Sequence, residues 1–449
     1  MWILILLFGL ATLVLAWTLF GYFLLIWFMG LFRRQPQPAL PETDDQYPRV
    51  SLVVPLFNER DEIEAKLTNL RELSYPQERM EVVFVDGGST DGTVEWLETA
   101  LADLPRYPRY RVERSPRDGK INQLNHVLPD LSGEIVVNTD ADASMEPDAL
   151  AWIAAEFAVS DDVWVVGAYC RPGDDAYCID QYYWDAQNKG RLIECQASTS
   201  SIVIAPCYAF RRELLDRFPE DVVADDIYIA FLANVHGKQS IYSRHARAVE
   251  QRNPRRLSEF LPHKYRKSNA FLRESLRFLY RLPEMEPLFK TMLLTRIAQQ
   301  LVFPWARAWW LLLAGSLATL YPMPRYDVVG IAAAGLVMLF GFTSRAFRSV
   351  ELPEPEQRKF SLFMIAKGWI LTTLILLATG LSYPFYRQSS SYARLGDPAS
   401  GTDATEGTGT AEEKDTERDA VAESAAANED APGVDPLMLP EPAREASKV

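Results

Sequence analysis

The sequence has no excess of positive charge. Its 449 residues include 46 Lys and Arg against 60 Asp and Glu, a formal net charge of −14. Residues 397–449 account for −10 of this, with 14 acidic and 4 basic side chains, so the rest of the chain is nearly balanced. Proteins that bind nucleic acid through a positive field need an excess of Lys and Arg. The composition excludes that class, and no nucleic-acid partner is expected.

Cysteine is scarce. The four cysteines form no Cys-x-x-Cys pair and no Cys/His spacing typical of a metal site. A disulfide framework needs paired cysteines in an oxidising compartment. We therefore expect reduced thiols in a cytosolic domain.

Charged side chains are absent from residues 1–32. This run is longer than the apolar core of a secretory signal, lacks the basic start and shows no small-residue cleavage site. Because about 20 apolar residues cross a bilayer, we expect a retained N-terminal transmembrane helix. Three further uncharged runs predict three transmembrane helices within residues 296–387: Ala308–Pro324, Val328–Ser344 and Gly368–Tyr386.

Basic residues beside these runs predict the orientation. Arg33 and Arg34 directly follow the first run, and cytoplasmic flanks of spans are enriched in Lys and Arg. We therefore expect a multi-pass cell-membrane protein in which residues 49–260 form a cytoplasmic domain. Residues 388–449 are too polar to bury a core and are predicted to be an acidic disordered tail. The late spans carry almost no charge that could line a path, which argues against a free-standing transporter.

Short β-branched runs alternate with helix-prone stretches in the first half of this domain. The runs that read as buried strands are Arg49–Phe57, Glu81–Val85 and Glu134–Asn138. Such alternation predicts βαβ units, and so an α/β fold with a mixed, mostly parallel sheet. Ligands bind at the carboxyl ends of the strands in such sheets. Because Asp86–Thr93 and Asp140–Asp142 both follow strands, we expect them to share one crevice.

The sequence Asp-Ala-Asp at 140–142 places two carboxylates in the turn after a strand. Such hard oxygen ligands suit a Mg²⁺ or Mn²⁺ ion that completes its shell with water and substrate phosphates. A calcium loop of the EF-hand type is excluded, because its sixth position would be Met145 rather than Gly and its twelfth Ala151 rather than Glu. The alternative is an acidic turn that caps a helix starting near Pro147.

The segment Asp86–Thr93 reads Asp-Gly-Gly-Ser-Thr-Asp-Gly-Thr and lacks the spacing of a phosphate-binding P-loop. Asp86, at a strand end, would accept hydrogen bonds from a nucleotide base or ribose. The two glycines after it would let a ligand approach the backbone. The alternative is a Gly-rich loop followed by a helix cap at Thr90 or Asp91.

Five motifs occur in a fixed order: Val54-Pro55-x-x-Asn58-Glu59, Asp86-Gly-Gly-Ser-Thr-Asp91-Gly-Thr93, Gly119-Lys120, Asp140-Ala-Asp142 and Ala224-Asp225-Asp226. In this order the sequence resembles the membrane-anchored family 2 glycosyltransferases, which include cellulose, hyaluronan and poly-N-acetylglucosamine synthases and ceramide glucosyltransferase. The resemblance covers about residues 49–270. It implies that residues 49–260 form a GT-A catalytic domain that uses a nucleotide-sugar donor and a divalent cation, Mg²⁺ or Mn²⁺.

The resemblance also implies which residues bind the donor. Pro55 and Glu59 would line the uridine pocket, and Asp86 would read the base or ribose. Lys120 would lie near the donor phosphates.

Three carboxylates would carry the chemistry. Asp140 would bind the donor and the metal, and Asp142 the metal. Asp226 matches the second acidic residue of the family's Glu-Asp or Asp-Asp motif, whose role is that of general base. The alternative for Asp225 and Asp226 is a helix start, because acidic residues in the first turn suit the helix dipole.

The sequence departs from the family pattern in two places. Residues 86–89 read Asp-Gly-Gly-Ser where the family often has Asp-Asp-Gly-Ser. The family's Gln-x-x-Arg-Trp signature is absent after Asp226, and the nearest candidates are Gln251–Arg255 and His263–Lys267. We favour the second, which makes Arg266 a substrate-binding residue. The missing Trp argues against processive polymer synthesis.

The segment Lys264–Arg281 is basic and amphipathic. Arg273, Arg277 and Arg281 follow one another at intervals of four, on one helical face. A helix of this kind lies in the membrane interface, and we expect residues 261–295 to form such helices. The alternative is an ordinary solvated helix face.

The sequence thus predicts an integral membrane, inverting, metal-dependent hexosyltransferase. It would move a sugar from a nucleotide-sugar donor, with a UDP-sugar favoured, to a lipid or lipid-linked acceptor, with membrane lipids as partners. One alternative is a processive polysaccharide synthase that also exports its product. Another is a non-catalytic, transferase-like subunit of a synthase complex, against which the retained acidic residues argue. No protein partner is predicted.

Overall fold

The computed structural model describes residues 2–33, 36–102, 104, 108–320, 325–353 and 361–386. The tail predicted over residues 388–449 lies outside the described residues, so its disorder stays a prediction.

Eight strands occur in the described ranges: β1 (Val50–Leu56), β2 (Met80–Asp86), β3 (Arg109–Arg114), β4 (Ile135–Thr139), β5 (Ala143–Met145), β6 (Val163–Pro172), β7 (Cys207–Arg211) and β8 (Gln239–Glu250). They form one sheet in the order β3-β2-β1-β4-β7-β6-β8-β5. The pairs β1–β2, β2–β3, β1–β4 and β6–β8 are parallel, and the other three are antiparallel. The predicted mixed, mostly parallel sheet is confirmed.

Helices connect and cover the strands. Those of the sheet region are α3 (Ile63–Arg71), α4 (Thr93–Ala102), α5 (Lys120–Val127), α6 (Ala149–Ala158), α7 (Cys178–Ala197) and α8 (Asp225–Val235). The N-terminal helices are α1 (Trp2–Ala16) and α2 (Tyr22–Leu31), joined by a π-helical turn at Trp17–Gly21. The C-terminal helices are α9 (Leu257–Arg277), α10 (Pro287–Leu301), α11 (Phe303–Leu320), α12 (Arg325–Arg348) and α13 (Leu362–Ser382).

The parallel strands place the two Asp-rich motifs at one edge of the sheet. β2 and β4 are buried along their whole length, and β1 nearly so, as expected for parallel strands that are covered on both faces. In the register of β1 and β2, Leu56 pairs with Asp86. The carboxyl ends of β1, β2 and β4 therefore lie at the same edge of the sheet.

The long strand β8 returns the chain to this edge of the sheet. It pairs in parallel with β6 and in antiparallel with β5, where Ala143 lies opposite Glu250. Just after this strand, the backbone N–H of Gln251 donates to the carbonyl oxygen of Asp142 at 2.9 Å. Residues about 110 positions apart are thereby joined at the turn that follows β4.

Three helices within the described residues are long and apolar enough to cross a membrane: Trp2–Leu31, Val328–Arg348 and Phe363–Ser382. The sequence predicts a fourth at Ala308–Pro324. The helix in that region, α11, has 18 described residues, includes Arg307 and is not among these candidates. The multi-pass arrangement and its orientation stay predictions.

The arginines of α9 and the turn after it contact acidic residues of this chain. Arg277 forms an ion pair with Asp221 at 2.6 Å, and Arg273 lies 3.9 Å from the same carboxylate. Arg281 lies beyond the end of α9 and pairs with Glu284 at 2.5 Å. The prediction that the three arginines lie on one face of one helix is therefore wrong for Arg281, because α9 ends at Arg277. The interfacial position of these helices stays a prediction.

A buried ion pair joins the N-terminal helix to the sheet region. Glu194 of α7 is fully buried, and its carboxylate accepts a hydrogen bond from Arg296 of α10 at 2.7 Å. The Tyr22 hydroxyl donates to the same carboxylate at 2.5 Å, and both the N–H and the hydroxyl of Ser201 donate to its other oxygen. Three segments that are far apart in sequence, those of Tyr22, Glu194–Ser201 and Arg296, meet at this one side chain.

We expect Arg296→Met to destabilise the protein, because it leaves the Glu194 carboxylate buried without its cation. Breaking a buried pair in this way costs about 3–5 kcal/mol of unfolding free energy, which lowers Tm by several degrees. Thermal unfolding of the detergent-purified protein measures the change. The exposed pair Arg114–Glu98 is the control, since Glu98→Gln should cost at most about 1 kcal/mol. An equal Tm for wild type and Arg296→Met would contradict the expectation.

Candidate active site

A cavity of about 670 Å³ lies at the carboxyl ends of the parallel strands. Its lining includes nearly all the site residues that the sequence predicts: Pro55, Glu59, Lys120, Asp140, Asp142, Asp226 and Arg266. Of the two motifs expected to share one crevice, Asp140–Asp142 lines this cavity, whereas no residue of Asp86–Thr93 is part of the lining. Asp86 is the predicted residue that the lining does not include.

The Asp140–Asp142 turn connects β4 to β5. One Asp140 carboxylate oxygen accepts a hydrogen bond from the Lys120 ammonium at 2.8 Å. Burial, and then the negative charges of Asp140 and Glu250, raise the pKa of Asp142 to about 7. Because β5 separates this turn from α6, the turn does not act as the cap of that helix.

The residues of this turn fit a divalent cation that also binds a substrate. Among the described residues, no group of three or more His, Cys, Asp or Glu side chains could hold a metal alone. Mg²⁺ and Mn²⁺ are commonly bound by one or two carboxylates together with substrate phosphates. Asp142 is a crowded, partly buried carboxylate in an open cavity, which suits this mode of binding.

Asp225 and Asp226 begin α8, as the helix-start alternative predicts, and they have different environments. Asp225 is buried, and its carboxylate accepts a hydrogen bond from the Tyr208 hydroxyl at 2.6 Å and lies 3.1 Å from the Lys120 ammonium. Asp226 is partly buried, and its carboxylate accepts hydrogen bonds from the backbone N–H groups of Ala205 and Ile227. Asp225 is thus held by a cation, whereas Asp226 faces the cavity.

The pKa of Asp226 is raised to about 7. Burial is the largest cause and the negative charge of Asp225 the next, and both outweigh the opposing effects of Lys120 and the two backbone N–H groups. A carboxylate with a pKa near neutrality can take up a proton at physiological pH.

Lys120 lies between the two acidic motifs. Its ammonium is 2.8 Å from Asp140 and 3.1 Å from Asp225, so one cation contacts both carboxylates. The residue is the first of α5 and follows Gly119, whose φ of 94° lies in the region that favours glycine. The glycine lets the chain turn sharply so that the lysine points into the cavity.

Asp86 shapes its own loop. It is 4% exposed, and its carboxylate accepts hydrogen bonds from the backbone N–H groups of Gly88 and Ser89. Further along this loop, Asp91 accepts a hydrogen bond from the N–H of Thr93, the first residue of α4. Asp86 thus orders its own loop, and its contact with a nucleotide stays a prediction. Asp91 holds the start of α4, in agreement with the helix-cap alternative.

Arg252 is the residue that the motif analysis passed over. It follows β8, lines the cavity and forms an ion pair with Glu59 at 2.7 Å. It belongs to the segment Gln251–Arg255, which we ranked below the segment of Arg266 as a counterpart of the family's arginine motif. The structure brings both arginines to the cavity. The strand that ends at Glu250 was the signal that could have identified Arg252, because strand ends converge on this site.

Another part of the cavity lining comes from helices outside the sheet region, and it combines apolar side chains with the polar Arg307, Thr372 and Thr373. It includes Leu19 of the N-terminal π turn, Phe303 of α11, and Trp369, Ile375 and Leu376 of α13. The same cavity thus joins a charged end at the sheet to an end among the candidate membrane helices that is lined in part by apolar side chains.

Three comparisons place this arrangement among known proteins. Residues 51–218 match the family model described as Glycosyl transferase family 2. Over 149 residues the chain is 35% identical to a beta-monoglucosyldiacylglycerol synthase of Synechocystis sp., a match that covers 32% of this chain and 31% of that protein. Over 260 residues it is 25% identical to an N-acetylglucosaminyltransferase of Sinorhizobium fredii, covering 53% of this chain and 61% of that protein.

The whole described fold has a solved counterpart. It is similar to a mannosyltransferase of Pyrobaculum calidifontis in complex with GDP-Man and Mn²⁺, with a TM-score of 0.61 and 25% identity. The likeness covers 85% of this chain and 100% of that one, and the expected GT-A fold is confirmed. The sequence matches are shorter, since they span about a third of the length of the beta-monoglucosyldiacylglycerol synthases.

Proposed function

Because residues 51–218 match the glycosyl transferase family 2 model, we propose that this chain is a membrane-integral, inverting, metal-dependent glycosyltransferase. It transfers a sugar from a nucleotide-sugar donor to a lipid or lipid-linked acceptor, with its catalytic domain on the cytoplasmic side. One observation carries this proposal. A single cavity holds the Asp140–Asp142 turn and Asp226 and is also lined by apolar side chains of candidate membrane helices.

The charged end of the cavity binds the donor. Asp142 and Asp140 hold a divalent cation, which when bound neutralises the charge that develops on the leaving diphosphate. Lys120 lies beside Asp140 and supplies a second positive charge to the same phosphates. Pro55 and Glu59 line the nucleoside end of the cavity, where Arg252 fixes the Glu59 carboxylate.

Asp226 takes the proton from the acceptor hydroxyl. Its neighbour Asp225 is held by Tyr208 and Lys120, which leaves Asp226 as the carboxylate that is exposed to the cavity and has a pKa near 7. The hydroxyl oxygen attacks the anomeric carbon from the face opposite the diphosphate, so the bond to the diphosphate breaks and the configuration inverts. A general base of this kind acts within hydrogen-bond reach of the acceptor.

The end of the cavity among the candidate membrane helices receives the acceptor. Side chains of α13 and of the N-terminal π turn contribute to it, and both segments belong to candidate membrane spans. An acceptor with an apolar part can reach the sheet edge from the bilayer along this part of the lining. The name of the Synechocystis and Nostoc relatives, beta-monoglucosyldiacylglycerol synthase, supports a lipid acceptor.

The test is an assay of detergent-purified, full-length protein with a panel of donors and acceptors. The donors are UDP-sugars, favoured by the sequence, and GDP-mannose, with which the similar structure was solved. Released nucleotide should rise when vesicles that contain diacylglycerol or a glycosylated lipid are added, and labelled sugar should appear in the organic extract. Release from no donor would overturn the proposal in favour of a non-catalytic subunit. A labelled product of many sugar units would identify a processive synthase instead.

We expect turnover to require a divalent cation. Excess EDTA should abolish nucleotide release by the wild type, and added Mn²⁺ or Mg²⁺ should restore it. Asp142→Asn should abolish release even with excess cation, because the amide is a much weaker ligand than the carboxylate. Asp162→Asn, at an exposed ion pair with Lys238, is the control and should leave release unchanged. Full activity in EDTA would refute the assignment of a metal.

We expect Asp226→Asn to lower turnover by about 10²–10⁴-fold while sparing donor affinity, because a base acts on the acceptor in the transition state. In the wild type, turnover at saturating cation should fall as the pH drops below about 7, since protonation removes the base. Calorimetric titration of the donor separates the two effects. If donor binding collapses together with turnover, Asp226 belongs to the donor site, and if neither changes, the base is another residue.

A further inference from the structure

Lys66 of α3 is a buried cation that lies beside the Asp140–Asp142 turn. It is 2% exposed, and none of the five motifs includes it. The sequence around it, Ile63–Arg71, reads as an ordinary helix, in which a lysine is expected to point towards solvent. A lysine that is buried at this depth needs an explanation, because removing an ammonium group from water is unfavourable unless it is paired and hydrogen-bonded.

The Lys66 ammonium contacts the residues on both sides of the acidic turn. It donates to the hydroxyl of Thr139, the last residue of β4, at 2.8 Å. It also donates to the carbonyl oxygen of Ala143, the first residue of β5, at 2.6 Å. The two carboxylates of the turn lie between these contacts in sequence. One side chain therefore fixes the entry to the turn and its exit.

Asn69 makes a second connection one helical turn further along α3. Its amide nitrogen donates to the carbonyl oxygen of Met145 at 2.7 Å, and its amide oxygen accepts from the N–H of the same residue at 2.8 Å. Both backbone groups of this β5 residue are thus bonded to one side chain. Lys66 and Asn69, here called the α3 clamp, tie the segment that follows β4 to a rigid helix.

The charge of Lys66 also suits its position. Burial lowers its pKa to about 8, and the nearby Asp140 and Asp142 oppose that effect, so the ammonium stays mostly protonated at neutral pH. A buried positive charge attracts both carboxylates of the turn from below. A metal ion and the donor phosphates would approach the turn from the cavity side.

We propose that the α3 clamp is a positioning device that holds the Asp140–Asp142 turn in the shape required for divalent-cation binding. Lys66 and Asn69 are positioning residues, because their contacts are with Thr139, Ala143 and Met145. Residues that orient metal ligands in this way typically affect metal affinity by 10–100-fold when they are replaced. The inference rests on the proposed function in one respect, namely that the turn binds a cation.

The test measures cation affinity rather than activity. Mn²⁺ is titrated into the detergent-purified, full-length protein, and free Mn²⁺ is followed by electron paramagnetic resonance, in the presence of UDP and, in a parallel series, of GDP. Lys66→Met removes both hydrogen bonds and the charge and should raise the Kd of Mn²⁺ by about 10–100-fold. The control Lys238→Met makes the same change at a lysine paired with Asp162 away from the cavity, and should leave the Kd unchanged.

Asn69→Ala keeps the test decisive if Lys66→Met does not fold. Asn69 is partly exposed, so this variant should fold, and it should raise the Kd of Mn²⁺ several-fold. An unchanged Kd in folded Lys66→Met, or in Asn69→Ala, would overturn the clamp and leave the metal assignment intact. Absence of Mn²⁺ binding by the wild type itself would instead overturn the metal assignment, and the clamp with it.

Discussion

The crowding of carboxylates at one edge of the sheet is the constraint on which the rest of the site depends. Negative groups that share a partly buried site cannot all be ionised without nearby positive charge. In this cavity Lys120 lies between Asp140 and Asp225, and Arg252 pairs with Glu59. Outside the cavity lining, the buried Lys66 donates to the backbone of Ala143, directly after the Asp140–Asp142 turn. Each cation comes from a different element, so the sheet, α3, α5 and the segment after β8 must all be in place before the acidic groups can coexist.

The same constraint separates the roles of the acidic residues. Asp225 is held by a cation and a hydroxyl, whereas Asp142 and Asp226 have pKa values that are raised to about 7 by burial and by neighbouring charge. A carboxylate of this kind can be stabilised either by a metal ion or by a proton. The proposed mechanism uses both: a cation at Asp142 on the donor side, and proton uptake by Asp226 on the acceptor side.

The two ends of the cavity belong to parts of the chain that are connected by long-range contacts. The buried ion pair of Glu194 with Arg296 joins α7 to α10, and the Tyr22 hydroxyl adds the N-terminal helix. Glu194 also accepts two hydrogen bonds from Ser201, four residues before Ala205, whose N–H donates to the Asp226 carboxylate. The packing of the N-terminal helix and α10 against the sheet region and the orientation of the Asp226 carboxylate therefore both depend on residues 194–205.

The sequence by itself determined the features that are local. Runs of β-branched residues ending at acidic turns identified β1, β2 and β4, and the order of the motifs placed Asp140, Asp142 and Asp226 in one family pattern. The alternation of strands and helices was sufficient for the α/β fold, because the hydrophobic period that distinguishes strands from helices is visible in short stretches of chain.

Only the tertiary structure decided which side chains contact each other. Arg252 and Glu59 are 193 residues apart, and Lys66 is 77 residues from Ala143, so no local pattern could pair them. Periodicity placed three arginines on one face of a helix, but it could not show that Asp221 and Glu284 would be beside them. Asp86 likewise ends a strand as predicted, but the sequence could not show that its carboxylate accepts hydrogen bonds from the backbone of its own loop. A side chain's role is set by what surrounds it in space, and long-range packing determines those surroundings.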